Sequence, residues 1–269
     1  MSSAFRRRAL LLLLVLAAAS AAASGRELRV CGDPDNLPLS HADGSGFENR
    51  IAELIAAEMG AVLRYEWQPL RRGFVRKTAG AGLCDVFIGV PKAFERVLTT
   101  RPYYRSSYVF VLGPRARGIQ GFDDPRLATL RIGVQLPGDD LAATPPGHAL
   151  TRHGHVDNVR GFTLYGVGTV QQRMLAALES GDIDAALLWG PQAGALVKAS
   201  RALELRIAAA PPDLEGIPFE YAIAVGVRRG ASALRDEIDA VLDRRRRDID
   251  AILERHAVPR TDHQPATSR

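Results

Sequence analysis

The residues equipped for chemistry form three small sets. Cys31 and Cys84 are the two cysteines, His148, His153 and His155 are closely spaced, and Asp33-Pro34-Asp35-Asn36 is a run rich in oxygen donors. Two thiols can make one disulfide but not a Cys-based zinc site. The histidines have no carboxylate beside them, and their Pro- and Gly-rich surroundings promise no regular element to fix them, so no metal site is expected. The oxygen-rich run fails as a calcium loop because Leu37 stands at the third ligand position of the EF-hand spacing. There is no Gly-x-Ser-x-Gly elbow, Walker-type phosphate loop, Gly-x-Gly-x-x-Gly or His-Glu-x-x-His. Catalysis, a metal and a bound cofactor are therefore not expected, which leaves recognition. Arg71 and Arg72 lie between Trp67 and Phe74, and Arg105 lies among Tyr103, Tyr104 and Tyr108. Such basic and aromatic mixtures are typical of interface anchors. Each also has a plainer reading, as a solvated helix start or as packing.

These residues need a scaffold. With 46% hydrophobic and 24% charged residues, the 269-residue chain is globular in composition. Its start reads differently: Arg6-Arg7-Arg8, the apolar run Ala9 to Ala19 and Ser20-Ala21-Ala22-Ala23 are the three parts of a secretory signal, with cleavage expected near Ala23. The run falls short of the roughly 20 residues of a membrane-spanning helix, the alternative being a retained anchor. Losing residues 1–23 lowers the formal charge from +5 to +2, which removes most of the case for nucleic acid. No later stretch approaches membrane length, so an exported, soluble protein is expected. In an oxidising compartment Cys31 and Cys84 can persist as a disulfide, whose loop closure is worth roughly 4 kcal/mol. If their strands are parallel neighbours, however, the thiols lie near opposite ends, and the pairing stays open.

Beyond the signal, strand and helix patterns alternate. Leu28 to Cys31 reads as a strand, and Phe47, Ile51, Leu54, Ile55 and Met59 fall at helical spacing before Gly60. Val62 to Trp67 reads as a strand, Arg71 to Ala79 as a helix, and Asp85 to Val90 as a buried parallel strand. A second round follows: strands at Leu130–Val134, Phe162–Tyr165, Asp184–Trp189 and Leu205–Ala209, with a helix from Gln171 to Glu179. Tyr108–Leu112 and Tyr221–Val225 are expected to cross between the rounds, and one long amphipathic helix spans Leu234 to Leu253. This βαβ pattern predicts parallel α/β sheets, with any ligand at the carboxyl ends of the strands.

Three stretches resemble the extracytoplasmic solute-binding proteins for polar amino acids. They are the first strand with its Gly-Phe-Glu helix, Cys84-Asp85-Val86-Phe87-Ile88-Gly89 through Pro102-Tyr103-Tyr104, and Ile132-Gly133-Val134-Gln135 through Gly181-Asp182-Ile183-Asp184-Ala185-Ala186. The resemblance covers nearly all of residues 26–257. It implies an α/β, two-lobed periplasmic binding protein (type II) fold with two crossover strands and an inter-lobe cleft. Lobe 1 is then 24–111 plus 220–258, lobe 2 is 112–219, and 259–269 is a mobile tail.

A narrower resemblance rests on Cys31-x-Asp33-Pro34-x-Asn36-x-Pro38, Gly46-Phe47-Glu48-Asn49-Arg50, Arg71-Arg72-Gly73-Phe74 and Leu98-Thr99-Thr100-Arg101-Pro102-Tyr103-Tyr104-Arg105-Ser106. Together, in order, these are similar to the MxaJ/XoxJ group, which accompanies quinoprotein methanol dehydrogenases. The resemblance implies a periplasmic accessory role beside a PQQ-dependent, calcium- or lanthanide-type methanol dehydrogenase, with its c-type cytochrome as a further partner. The alternative it implies is the solute-binding subunit of an ABC importer, working with a permease on a small polar solute. In the transporters a carboxylate is held by an arginine after the third strand, and Arg96 stands there. The hydroxyl or backbone donor five residues earlier is here Pro91, the acid that meets the ammonium is Trp189, and the stacking aromatic is Asn36. An ordinary amino acid is therefore a poor fit. Asp33, Asn36, Trp67, Arg71, Arg72, Arg96, Tyr104 and Trp189 are the expected cleft or partner-binding residues. Trp67, Tyr104 and Trp189 are expected to wall a cleft wide enough for a peptide segment.

Overall fold

The computed structural model describes residues 25–136, 144–163 and 167–262. The expected signal at 1–23, the strand positions Leu164 and Tyr165 and the last seven positions of the expected tail lie outside them. The chain runs β1 (Glu27–Gly32), β2 (Asp35–Asn36), β3 (Ser40–His41), α1 (Phe47–Glu58), β4 (Val62–Trp67), α2 (Phe74–Lys77), β5 (Val86–Pro91), β6 (Leu98–Thr99) and β7 (Tyr104–Leu112). There follow β8 (Ile132–Leu136), α3 (Pro145–Arg152), β9 (Val159–Thr163), α4 (Val170–Glu179), β10 (Ala185–Trp189), α5 (Gly190–Ala199), β11 (Glu204–Ile207), β12 (Glu220–Val227), α6 (Ser232–Arg244) and α7 (Arg246–Arg255).

Apart from the β2–β3 hairpin, the strands form one path, β4-β1-β5-β12-β7-β10-β8-β9, with β6 beside β12 and β11 beside β7. β1 is parallel to β4 and β5, and β8 is parallel to β9 and β10, as the βαβ pattern requires. β7 joins the two groups. Its residues Tyr104–Ser107 pair with β12, and Tyr108–Leu112 lie between β10 and β11. The return run reaches this junction where Tyr108 N donates to Phe219 O at 3.0 Å. β7 thus starts earlier than the expected crossover, because Tyr104–Ser107 already form a ladder.

Burial explains the grouping. Phe47, Ile51 and Ile55 on α1 pack with Leu28, Val30 and Val86 of the first group and with Ile238, Val241 and Leu253 of α6 and α7. Taking each such side chain out of water contributes roughly 1.5–3 kcal/mol. A second core gathers Phe110, Leu127, Ile132, Leu150 and Leu187, and a third, Val111, Met174 and Leu188. The final helices therefore return to the first group.

Both groups use the same latch. Asp85 N donates to Arg29 O, and Asp184 N donates to Arg131 O, each at 2.8 Å. The Asp85 carboxylate takes Arg29 at 2.8 Å and Arg228 at 2.6 Å, and Asp184 takes Arg131 at 3.1 Å and Arg115 at 3.2 Å. Burial pulls both carboxyls up, but the arginine hydrogen bonds outweigh it and hold them below the ordinary range.

Several expected elements differ. The helix expected over 71–79 is only α2 and a following short turn at Ala79–Ala81. Gly73 at φ 83° precedes α2, and Thr78 Oγ1 closes it on Phe74 O at 2.7 Å. The single terminal helix is two, broken at Arg245, whose side chain is drawn to Glu58 at 2.9 Å and Asp248 at 2.7 Å. The Pro-rich stretch at 145 is helical after all, since proline is tolerated in a first turn, and His148 lies on that helix. Cys31 and Cys84 are bonded, with Cα atoms 5.5 Å apart. β1 and β5 are parallel, yet only Val30 and Val86 are ladder partners, and Cys84 sits before the strand rather than along it. The tail is held as far as residue 262: Ser106 Oγ donates to Pro259 O at 2.6 Å, Thr261 N donates to Arg105 O at 3.1 Å, and Arg260 is clamped by Asp250 and Asp262.

Candidate functional site

The carboxyl ends of β1, β4, β5, β8 and β10 converge on a groove made of three joined hollows. The outer one, about 300 Å³, has Asp33, Asn36 and Arg71 on one wall and Gln135, Thr169 and Gln192 on the other. The middle one, about 260 Å³, shares Asp33 and Asn36 and adds Phe74, Phe87 and Phe94. The inner one, about 320 Å³, shares Leu39, Glu48 and Gly89 with the middle and ends on Tyr104, Tyr108, Trp189 and Tyr221. Loops and strand ends carry these side chains, as open α/β sheets dictate.

Local bonding fixes the outer wall. Asp33 Oδ1 accepts from Asp35 N at 2.9 Å, the turn role, and its Oδ2 accepts from Leu70 N at 2.6 Å, which ties the loop after β4 to the loop after β1. On the far wall Thr169 caps α4, its Oγ1 accepting from Gln172 N at 3.2 Å. At the inner end Trp189 meets Tyr108 edge-on at 5.5 Å and Tyr221 at 5.6 Å. These aromatics come from β10, β7 and β12, so the end of the groove is the junction of the two strand groups.

Glu48 is the one carboxylate shared by the middle and inner hollows, and it has no cation against it among the described residues. It sits in the first turn of α1, where Glu48 N donates to Leu39 O at 2.9 Å and turns the side chain toward β5. Gly89 makes room for it: a Cβ there would lie 2.1 Å from Glu48 Oε1. Burial pushes its carboxyl up to about 7. The expected residues did not include Glu48, although Gly46-Phe47-Glu48 was one of the stretches carrying the resemblance.

The structure brings Asp33, Asn36, Arg71, Tyr104 and Trp189 to this groove and leaves three expected residues elsewhere. Trp67 stacks on Tyr65 at 4.2 Å over Gly32 and lines none of the three hollows. Arg72 is exposed beside them. Arg96 lines a separate hollow of about 640 Å³ with Arg29, Arg76, Arg228 and Arg229, because the turn after β5 carries it away from the groove. Pro91 and Trp189 do line the groove, so neither a donor at 91 nor an acid at 189 faces an occupant. Among the described residues no group of three His, Cys, Asp or Glu side chains could hold a metal, and His153 faces Asp213 at 3.5 Å.

This architecture is that of the bacterial extracellular solute-binding proteins, family 3, to which the chain belongs: the family's model matches residues 28–258. Within that family the chain is similar to Protein MoxJ of Methylorubrum extorquens, 32% identical over 258 residues, covering 86% of this chain and 81% of that one. Among solved structures it is similar to the periplasmic binding protein XoxJ from Methylobacterium extorquens AM1, 35% identical with a TM-score of 0.72, covering 87% of this chain and 98% of that one. It is also similar to MxaJ from Methlophaga aminisulfidivorans MPT, 26% identical with a TM-score of 0.75, covering 87% and 99%. The resemblance to the MxaJ/XoxJ group and the type II fold expected from it are both borne out. Among the described residues no helix is long and apolar enough to cross a membrane.

Proposed function

We propose that the protein is a non-enzymatic periplasmic accessory of a methanol oxidation system, assisting maturation or activation of a PQQ-dependent methanol dehydrogenase by holding a segment of it in the groove. In this reading residues 24–111 with 220–258 and residues 112–219 act as lobes that close on the segment. The dehydrogenase's c-type cytochrome is the second candidate partner. One observation carries the reading: the groove is long, aromatic at its inner end and acidic at Glu48, and it has no arginine where a transporter holds a carboxylate. Arg71 lines only the outer hollow, and no arginine or lysine lines the two that share Glu48, so a zwitterion with its ammonium on Glu48 finds no cation beside it for its carboxylate, which is costly in a closed site. A peptide segment has no such charge at its middle. It offers apolar side chains to Trp189 and Tyr104, and a lysine or arginine to Glu48.

Calorimetry of the purified protein with apo methanol dehydrogenase, beside a pooled solute library, tests this. Micromolar binding to the dehydrogenase with no heat from the library is expected. A cationic group against Glu48 lowers the pKa of its carboxyl, so binding near pH 7 releases a proton and the heat depends on the buffer, an effect absent in Glu48→Gln. Tight binding of a small solute with none of the dehydrogenase overturns the reading. Family membership then favours the second reading, a solute-binding subunit of an ABC importer, with a small cation at Glu48.

A further inference from the structure

The arginine-lined hollow is chemically unlike the groove. It lies between the Asp85 latch, the turn Ala79–Gly82 and the stretch after β5, and shares only Val75 with the middle hollow. Arg29 and Arg228 are consumed by Asp85, and Arg29 Nη1 also donates to Gly82 O at 3.0 Å. Arg229 is steered by a hydrogen bond to the Glu95 carbonyl. Arg76 and Arg96 are exposed and have no side-chain partner among the described residues. Five arginines thus line the hollow together with Val75 and Val97, no carboxylate lines it, and only Arg29 and Arg228 reach Asp85.

The second strand group serves as the internal control. Its latch is complete with Asp184, Arg131 and Arg115 alone. Two arginines per aspartate satisfy the fold, so Arg76, Arg96 and Arg229 answer to something else. Like charges gathered without counter-charge repel, and guanidinium forks are built to take carboxylates two bonds at a time.

We propose that this hollow docks an acidic segment of a partner protein, in which at least two carboxylates pair with Arg76 and Arg96 and an apolar side chain between them rests on Val75 and Val97. A segment fits better than a small anion because the hollow, at about 640 Å³, is about twice the size of any hollow in the groove and carries apolar as well as basic walls. The inference does not depend on what fills the groove.

The test is fluorescence anisotropy of a short labelled peptide alternating glutamate and leucine, titrated with the full chain at low salt. Saturable binding is expected, weakened about tenfold or more in Arg76→Glu/Arg96→Glu, as loss of two charge-assisted pairs requires. Glu48→Gln should bind the peptide like the parent, and any binding of a lysine–leucine peptide should be unchanged in Arg76→Glu/Arg96→Glu. If the charge reversal disturbs folding, Arg76→Gln/Arg96→Gln, monitored by circular dichroism, should still weaken binding severalfold. Absence of binding at low salt, unchanged affinity in both double variants, or citrate competing as well as the peptide at equal charge would each overturn the proposal.

Discussion

In the first strand group Asp85 takes Arg29 and Arg228; in the second, Asp184 takes Arg131 and Arg115, through matching backbone bonds. Among the described residues no third arginine bonds Asp184. Around Asp85 three more arginines gather, and the neighbouring Cys31–Cys84 bond packs with Phe87 and Val97. The shared part is what a buried aspartate at the start of a sheet strand needs. The unshared part is what the first group adds, and additions that the fold does not require are where recognition belongs.

The comparison can be broken first at the disulfide. Cys31→Ser/Cys84→Ser opens a loop spanning 53 positions that has no counterpart in the second group, and a loss of about 4 kcal/mol in urea unfolding is expected. Next come the latches. Asp184→Asn should cost about 3 kcal/mol and Asp85→Asn about 2, because the Asp184 side chain is only 3% exposed against 13%. Equal losses would mean that exposure does not set the difference. Both carboxyls are depressed in the fold, so their contribution is full above the ordinary carboxylate range and is lost as pH falls through their folded pKa values.

Glu48 has the opposite sign. Its carboxyl, raised from 4.5 to about 7, stays protonated in the fold while the unfolded chain ionises, so stability falls as pH rises from about 4.5 to about 7. Glu48→Gln should flatten that slope by on the order of 2–3 kcal/mol in paired pH-stability curves. The smallest effect sharpens the comparison most. Arg76→Ala/Arg96→Ala should leave stability unchanged or slightly raised, within about 0.5 kcal/mol in thermal unfolding, since neither side chain has a partner among the described residues.

Much of this was legible in the sequence, and for physical reasons. β4 and α1 follow from alternation and from helical spacing, and β5 and β10 from apolar runs that only a doubly covered strand carries. α3 begins with Pro145-Pro146 and α5 with Gly190-Pro191, residues that read as breakers until their first-turn positions are seen. Asp33, Asn36, Arg71, Tyr104 and Trp189, expected from the resemblance, do line the groove, where strands and the loops beside them meet. Glu48 was not legible, since an acid in a first helical turn is commonplace, and only the hollow against Gly89 distinguishes it. Nor was the arginine hollow, whose members run from residue 29 to residue 229 and meet only because β12 returns beside β5.

The bonds from Pro259 and Thr261 to β7 bear on where the chain can be shortened. β7 is the strand shared by both groups, and its residues Arg105 and Ser106 are tied down by nearly the last described piece of chain. A chain cut before Pro259 would lose both of these bonds while keeping every ladder that β7 makes with β10, β11 and β12.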